Sequence, residues 1–265
     1  MTEYLILQRI YGPRRQRCVE TLRQNLRSMT VGLEAQISLV GQTERGWARV
    51  EVSGNDEEVA QNYLRQRLGV APRTVEELKS RAAVKGQAID TGRVGYGLYV
   101  DVGLTQHPYV DALIPLHTLR SQIADGSETS FQMILGTFGI TDNFPLSLRL
   151  SKTEQTASSI EAEFTDQQIS TFEQWVADGL DRVLAFGISA TDIQEGITAT
   201  GLRRDIVRVD PLGLFEQSLL CKLGTDGAGI IGRLGRYLRG IPLSLFSPRR
   251  AGVLLGSPKI ISRPV

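Results

Sequence analysis

At 265 residues the chain suits two or three small domains rather than one large core. With 41% hydrophobic and 22% charged residues it is ordinary for a globular protein, which excludes a disordered or low-complexity chain. Its net charge is +1, and its two cysteines and two histidines, without Cys-x-x-Cys or His-x-x-x-His spacing, point to no structural metal. There is no secretory start, and no apolar run approaches the ~18 residues of a membrane span. A cytoplasmic protein with no cofactor is expected, and Cys18 and Cys221 are expected to be buried thiols.

The first segment, 1–78, reads as a split β-α-β-β-α unit of ferredoxin-like type. Tyr4 to Ile10 is a strand, and Pro13 starts a helix whose inner stripe is Cys18, Leu22, Leu26 and Met29. Its outer side carries Arg14, Arg15, Arg17, Arg23 and Arg27, either a solvated face or a binding surface. Strands Glu34 to Val40 and Trp47 to Val52 meet around Glu44-Arg-Gly46. Asn55 is placed to cap a second helix, with Val59, Tyr63 and Leu64 facing inward.

The middle segment, 79–155, carries the most informative pattern. Lys85-Gly-Gln-Ala-Ile-Asp-Thr-Gly-Arg-Val-Gly-Tyr-Gly-Leu-Tyr-Val-Asp-Val-Gly103 reads as two strands meeting in a tight turn. Leu98, Val100 and Val102 alternate with Tyr99 and Asp101, so one face is core and the other is free. Gly86, Gly92, Gly95, Gly97 and Gly103 sit where the strands of a small closed barrel must bend. Asp111-Ala-Leu-Ile-Pro-Leu-His117 follows, and the strand Leu146 to Leu150 runs into a polar patch, Lys152 to Ser159, that marks a boundary.

The order of these glycines and aromatics resembles the S-one-type OB module of ribosomal and exosome RNA-binding proteins, a five-stranded barrel. The resemblance implies that Tyr96 and Tyr99 stack on single-stranded bases, with Lys85, Arg93 and Arg120 as phosphate neighbours. It departs at Pro115, where the module often has a histidine.

The third segment, 156–248, alternates strand and helix and predicts an open, partly parallel α/β layer. Thr165 or Asp166 starts a helix with Ile169, Phe172, Trp175, Val176 and Leu180 inward. Arg182 to Ile188 is a buried strand; Ser189 with Asp192 resembles a capping box, and Gly201 ends that helix. Ile206 to Val209 and Leu214 to Leu223 are strands.

The glycine run Lys222-Leu-Gly-Thr-Asp-Gly-Ala-Gly-Ile-Ile-Gly-Arg-Leu-Gly-Arg236 contains G-x-G-x-x-G, yet no acidic residue follows to hold a ribose. Two readings stand. Asp226 caps a helix whose glycines give a smooth packing face, or Lys222, Gly224, Thr225, Gly227, Gly229, Arg233 and Arg236 hold a phosphate at its N-terminus. Asp205, Asp210, Glu216 and Asp226 are considered as metal carboxylates, but their spacing matches no nuclease pattern.

After Asp226 there is no acidic residue, while Arg233, Arg236, Arg239, Arg249, Arg250, Lys259 and Arg263 are all basic. The last stretch, 249–265, reads as a basic tail, extended from Ser247, either solvated or directed at RNA. The phrases Gly213-Leu-Phe-Glu216, Cys221-Lys-Leu-Gly-Thr-Asp226 and Gly95-Tyr-Gly-Leu-Tyr-Val-Asp-Val-Gly103 resemble an archaeal family of unknown function that joins such a barrel to α/β regions. No catalytic residue follows from it. The expected function is non-catalytic RNA binding in translation or RNA processing, with RNA or a ribosomal or RNA-processing complex as partner and no membrane. The alternatives are an enzyme holding a phosphorylated ligand at Gly224 to Gly232, and a protein–protein adaptor of the ribosome or transcription machinery.

Overall fold

The computed structural model describes residues 2–104, 109–155 and 159–256. The chain opens with β1 (Thr2–Arg9), α1 (Arg15–Met29), β2 (Ala35–Gln42), β3 (Trp47–Gly54) and α2 (Glu57–Arg67). The strands lie antiparallel in the order β1-β3-β2, and Val70 bridges back to Ile6 beside β1. Period-two alternation turns Tyr4, Ile6, Ile37, Val50 and Val52 to one face, where Cys18, Leu22, Leu26 and Met29 of α1 close over them as their spacing predicts.

The second helix departs from expectation by one residue. Ala60 and Leu64 are buried, while Val59 and Tyr63 are 42% and 39% exposed. The small Ala60 lets the helix backbone approach the sheet more closely than a β-branched residue would, and Val59 and Tyr63 turn outward. Nor does Asn55 cap it: Asp56 holds the N-cap position, and the Asn55 amide donates to the Glu34 carboxylate at 2.8 Å.

A short helix, α3 (Val75–Ser80), capped by the Thr74 hydroxyl accepting the Glu77 N–H, leads into the barrel. β4 (Val84–Ile89), β5 (Gly97–Asp101) and β6 (Asp111–Pro115) precede α4 (Leu116–Ile123) and α5 (Phe131–Phe138), and β7 (Pro145–Gln155) and β8 (Ser159–Phe164) complete it. These five strands close in the order β4-β5-β6-β8-β7, antiparallel except for the parallel pair β6 and β8. The interior is filled from alternate positions: Val84 and Ala88, Leu98 and Val100, Ala112 and Ile114, Leu146 and Leu148, Ile160 and Phe164.

Two of the expected barrel glycines are sterically required. A Cβ on Gly86 would stand 2.5 Å from the Asp101 carbonyl oxygen, and one on Gly97 2.6 Å from that of Ile114. Gly92 and Gly95 have open space around them and serve the turn alone.

The barrel extends past residue 155, where its end is expected from the polar patch. β7 runs on to Gln155, and β8 begins at Ser159 and pairs with both β6 and β7, so the patch covers the end of one barrel strand and the start of another. A polar connection marks a hairpin as readily as a domain boundary.

α6 (Asp166–Asp178), N-capped by Thr165, packs below the barrel. The last unit comprises β9 (Arg182–Phe186), α7 (Ala190–Ala199), β10 (Ile206–Pro211), β11 (Glu216–Cys221), α8 (Gly227–Tyr237), β12 (Leu243–Phe246) and α9 (Pro248–Leu254). Its sheet order is β10-β11-β9-β12, antiparallel at every pairing. This corrects the expected partly parallel layer. The crossovers through α7 and α8 do join strands of like direction, but each skips a strand, and the intervening antiparallel strand separates them. One sheet face carries Val183, Ala185, Leu219 and Cys221 under α7 and α8. The other, with Leu184, Phe186 and Phe246, packs on Phe138, Phe144, Phe172 and Trp175. Barrel unit and C-terminal sheet therefore share one core.

The expected extended segment from Ser247 is helical as far as Leu254. Pro248 sits in its first turn, Ala251 is fully buried, and the helix lies on α5 and α6. Arg249 and Arg250 stay on its exposed side, while Lys259 and Arg263 lie outside the described residues.

Ending the chain at Ser247 should lower stability by about 2–4 kcal/mol through exposure of the apolar surface under α9. Urea denaturation reads this as an earlier midpoint. An unshifted midpoint would show that α9 contributes nothing to the core.

Candidate functional site

On the outside of the barrel, Tyr96 and Tyr99 form an edge-to-face pair with ring centroids 6.0 Å apart and planes at 86°. Their hydroxyls are hydrogen-bonded at 2.6 Å, and Tyr96 is 58% exposed. The hydrogen bond with Tyr96, then burial, pushes the Tyr99 hydroxyl up to about 12. Local geometry holds the pair in place. The Leu116 N–H donates to the Tyr96 carbonyl at 2.8 Å, and the Asp142 carboxylate accepts both the N–H and the hydroxyl of Thr91 in the β4–β5 turn. Arg93 projects from the same turn, 82% exposed, with Asp90 at 3.1 Å.

The other two residues that the resemblance groups with the tyrosines lie apart. Lys85 pairs with Ser147, whereas Tyr99 pairs with Ile89, four residues further along β4 and ~13 Å away. Arg120 donates through Nε to the Thr129 carbonyl at 2.9 Å and pairs with Glu128 at 3.0 Å, which ties α4 to the loop after it.

At the glycine run, Asp226 accepts from the N–H groups of Ala228 and Gly229 at 3.2 and 2.9 Å, and Asp181 accepts from that of Gly227 at 3.2 Å. Three amides that a phosphate would need are already held by carboxylates, as the capping alternative describes. Gly227 is buried against Leu245, and a Cβ there would meet its Cδ1 at 2.5 Å. Arg233 pairs with Asp205 at 3.2 Å, and Arg236 bonds back to the Gly232 carbonyl. Lys222, Gly224 and Thr225 lie on the exposed approach to the helix, outside the amides that would converge on a phosphate.

The four acids considered for a metal are dispersed. Asp205 is on Arg233, Asp210 on Arg182 and Arg208, Asp226 caps α8 and Glu216 is buried. Among the described residues no cluster of three or more His, Cys, Asp or Glu could hold an ion. Cys18 and Cys221 are buried and free, and burial pushes the Cys18 thiol up to about 12.

Glu216 marks a second location. It is 2% exposed, and its Oε1 accepts from the Tyr11 hydroxyl at 2.7 Å and from Gln87 Nε2 at 3.1 Å. Tyr11 follows β1, Gln87 stands on β4 and Glu216 begins β11, so one oxygen joins all three units. Burial pushes the Glu216 carboxyl up to about 7 against the pull of these hydrogen bonds. A cavity of about 440 Å³ adjoins it, lined among others by Trp47, Arg67, Lys85 and Gln168.

Charged contacts fasten the same junction. Arg45, between β2 and β3, reaches Asp111 at 2.5 and 3.1 Å and the buried Asp101 at 3.4 Å, with its guanidinium 4.1 Å over Tyr109. Arg14 and Arg17 at the start of α1 both pair with Asp192 in the first turn of α7. Part of the arginine-rich helix is thus an interdomain contact.

A closed barrel between two helix-covered antiparallel sheets, joined around one buried carboxyl, defines a three-unit α+β protein. Among the described residues no helix is long and apolar enough to cross a membrane. The sequence matches the DUF2110 N-terminal domain over residues 3–74, the DUF2110 central domain over 78–176 and the DUF2110 C-terminal domain over 180–245; the chain belongs to the DUF2110 family. The central match includes β8 and α6, in keeping with their place in and below the barrel. No curated protein matches the chain.

Because the folded Glu216 holds its proton up to about pH 7, against an ordinary 4.5, the stability that this carboxyl confers is present below pH 4.5 and lost as pH rises through 7. Glu216→Gln keeps an acceptor for Tyr11 and Gln87 and cannot ionise. It should be more stable than the native chain by about 1–3 kcal/mol at pH 8, the advantage shrinking towards pH 4. Urea titrations at both pH values measure this, and a pH-independent difference would refute the assignment.

Proposed function

We propose that the protein binds single-stranded RNA on the outer face of its barrel, as a non-catalytic, cytoplasmic component of translation or RNA processing. The strand order β4-β5-β6-β8-β7, with its parallel β6–β8 pair and helices between the third and fourth strands, supports an OB module of the S-one type. In that fold the second and third strands and their neighbouring loops meet oligonucleotides.

The observation that carries this reading is the aromatic pair at the head of β5, with Tyr96 exposed just before the strand and Tyr99 half-buried on it. Elsewhere on the β4–β5 outer face Gln87 and Asp101 are buried against the flanking units, while Tyr96 keeps more than half its surface open. A base laid on the Tyr96 ring gains stacking of every sequence alike, since each base has a π-face. The Tyr99 hydroxyl holds that ring in one orientation, so little freedom is lost on binding. Arg93, in the adjoining turn, supplies a cation for the neighbouring phosphate.

Replacing Tyr96 and Tyr99 together by Ala should weaken binding of a single-stranded oligoribonucleotide by ~1–3 kcal/mol per stacked base. Fluorescence anisotropy measures the loss. Arg93→Ala should make the slope of log affinity against log salt shallower by about 0.7. Unaltered affinity in a folded double variant removes the stacking role, and absence of any RNA binding by the native chain removes the proposal.

A further inference from the structure

An open channel runs between the first unit and the barrel. It follows β1 from Thr2 to Gln8, a length of ~20 Å, with the end of α2 on one side and the connection from α3 into β4 on the other. The part next to Thr2 has a volume of about 730 Å³ and the part next to Gln8 about 440 Å³. Leu7 and Lys85 line both parts, which makes them one channel.

The free charges along it are of one sign. Arg65 and Arg73 line the Thr2 part, Arg67 the Gln8 part and Lys85 both. All four are exposed, and none has a carboxylate partner among the described residues. The acids of the lining are already engaged or out of reach. Glu77 is held by Arg81 at 2.6 Å and by the Arg73 N–H at 2.9 Å, and Glu216 is 2% exposed. Where units touch directly, at Arg14, Arg17 and Arg45, the cations are paired across the seam. Here the seam stands open and its cations are left for an anion from outside. The Arg73 guanidinium is held 5.7 Å from the centroid of the Tyr4 ring, a contact that orients its charge without cancelling it.

A cleft with low-dielectric walls and charges of one sign focuses its field on an anion lying within it. Cations spread over the length of a channel suit a ligand whose own charge repeats along its length, as phosphates do on a nucleic-acid strand. Three of the four are arginines, whose planar fork matches the oxygens of a phosphate. The aromatic residues of the lining are closed to a base: Tyr4 is 8% exposed and Trp47 1%. Contact in the channel is therefore with a backbone and carries no sequence preference.

We propose that this channel binds the sugar–phosphate backbone of a single RNA strand, as an electrostatic contact separate from the tyrosine pair. The class of ligand rests on the RNA binding proposed at Tyr96; the residues are different.

Fluorescence anisotropy of the full chain with an oligouridylate of ~16 nucleotides, the upper site size of one OB module, tests the assignment over a range of salt concentrations. Arg65→Ala, Arg67→Ala and Lys85→Ala together should make the slope of log affinity against log salt shallower by about 2, from ~0.7 per phosphate contact. Affinity at low salt should fall at least tenfold. The melting temperature should stay in place, because the three side chains are exposed and unpaired. Arg65→Lys with Arg67→Lys keeps the charges and should retain the native slope. Tyr96→Ala with Tyr99→Ala should lower affinity and leave the slope as it is. The two contacts fail separately. Native slope and affinity in the folded triple variant overturn the channel and leave stacking untouched; native affinity in the tyrosine variant, beside a weakened triple variant, does the reverse. Polyglutamate that displaces the oligonucleotide as effectively as unlabelled RNA overturns the channel as well, since its partner would then be an acidic protein.

Discussion

One carboxyl oxygen organises the molecule. Glu216 is shut away from water and accepts a hydrogen bond from Tyr11 of the first unit and another from Gln87 of the barrel. A buried carboxyl without partners is costly, so each unit's place is specified by what the others must supply to that oxygen. Apolar packing between barrel and C-terminal sheet is extensive but tolerant of sliding; the three-way hydrogen bond is directional and is not. Arg45 on Asp111 and Asp101, and Arg14 and Arg17 on Asp192, repeat the device at two further seams. All three use polar groups from different units that satisfy one another only in one arrangement.

This arrangement also decides which surfaces remain for binding. Split β-α-β units often use the open face of their sheet, but here that face of the C-terminal sheet is filled by Phe138, Phe172 and Trp175. The outer surface of β4 and β5 is divided in two. The end carrying Gln87 and Asp101 belongs to the interdomain contact, and the end carrying Tyr96 and Tyr99 is left to solvent.

Local patterns were legible wherever a residue's neighbours in sequence are also its neighbours in space. The stripe Cys18, Leu22, Leu26, Met29, the alternation Leu98, Val100, Val102 and the caps at Thr165, Ser189 and Asp226 all depend on a single turn or strand. What escaped depends on pairing at long range. β8 joins the barrel because β6 needs a parallel partner, and β11 inserts between β9 and β10 although helices connect them. α9 is helical because α5 and α6 offer it a surface, where basic composition alone suggests a tail. In the candidate sites, the aromatic pair and Arg93 were readable from one turn, whereas Lys85 and Arg120 are displaced by strand register and by an ion pair. Glu216 did leave a trace. It is a charged residue at the head of a run, Glu216 to Cys221, in which every residue is buried. An acid in such a place needs a partner, but nothing local names Tyr11 or Gln87.

The order of synthesis gives the Glu216 contact a further meaning. A growing chain emerges from its N-terminus, and domains fold as units in that order. Tyr11 and Gln87 are made early, and β11 arrives only after both earlier units are complete. Until then the two donors face water, which satisfies them, and the first two units are free to adjust to each other. Arrival of β11 closes the junction in a single late step. The nascent protein thus passes through a stage in which all five barrel strands have been made while the space between its units is still open to solvent.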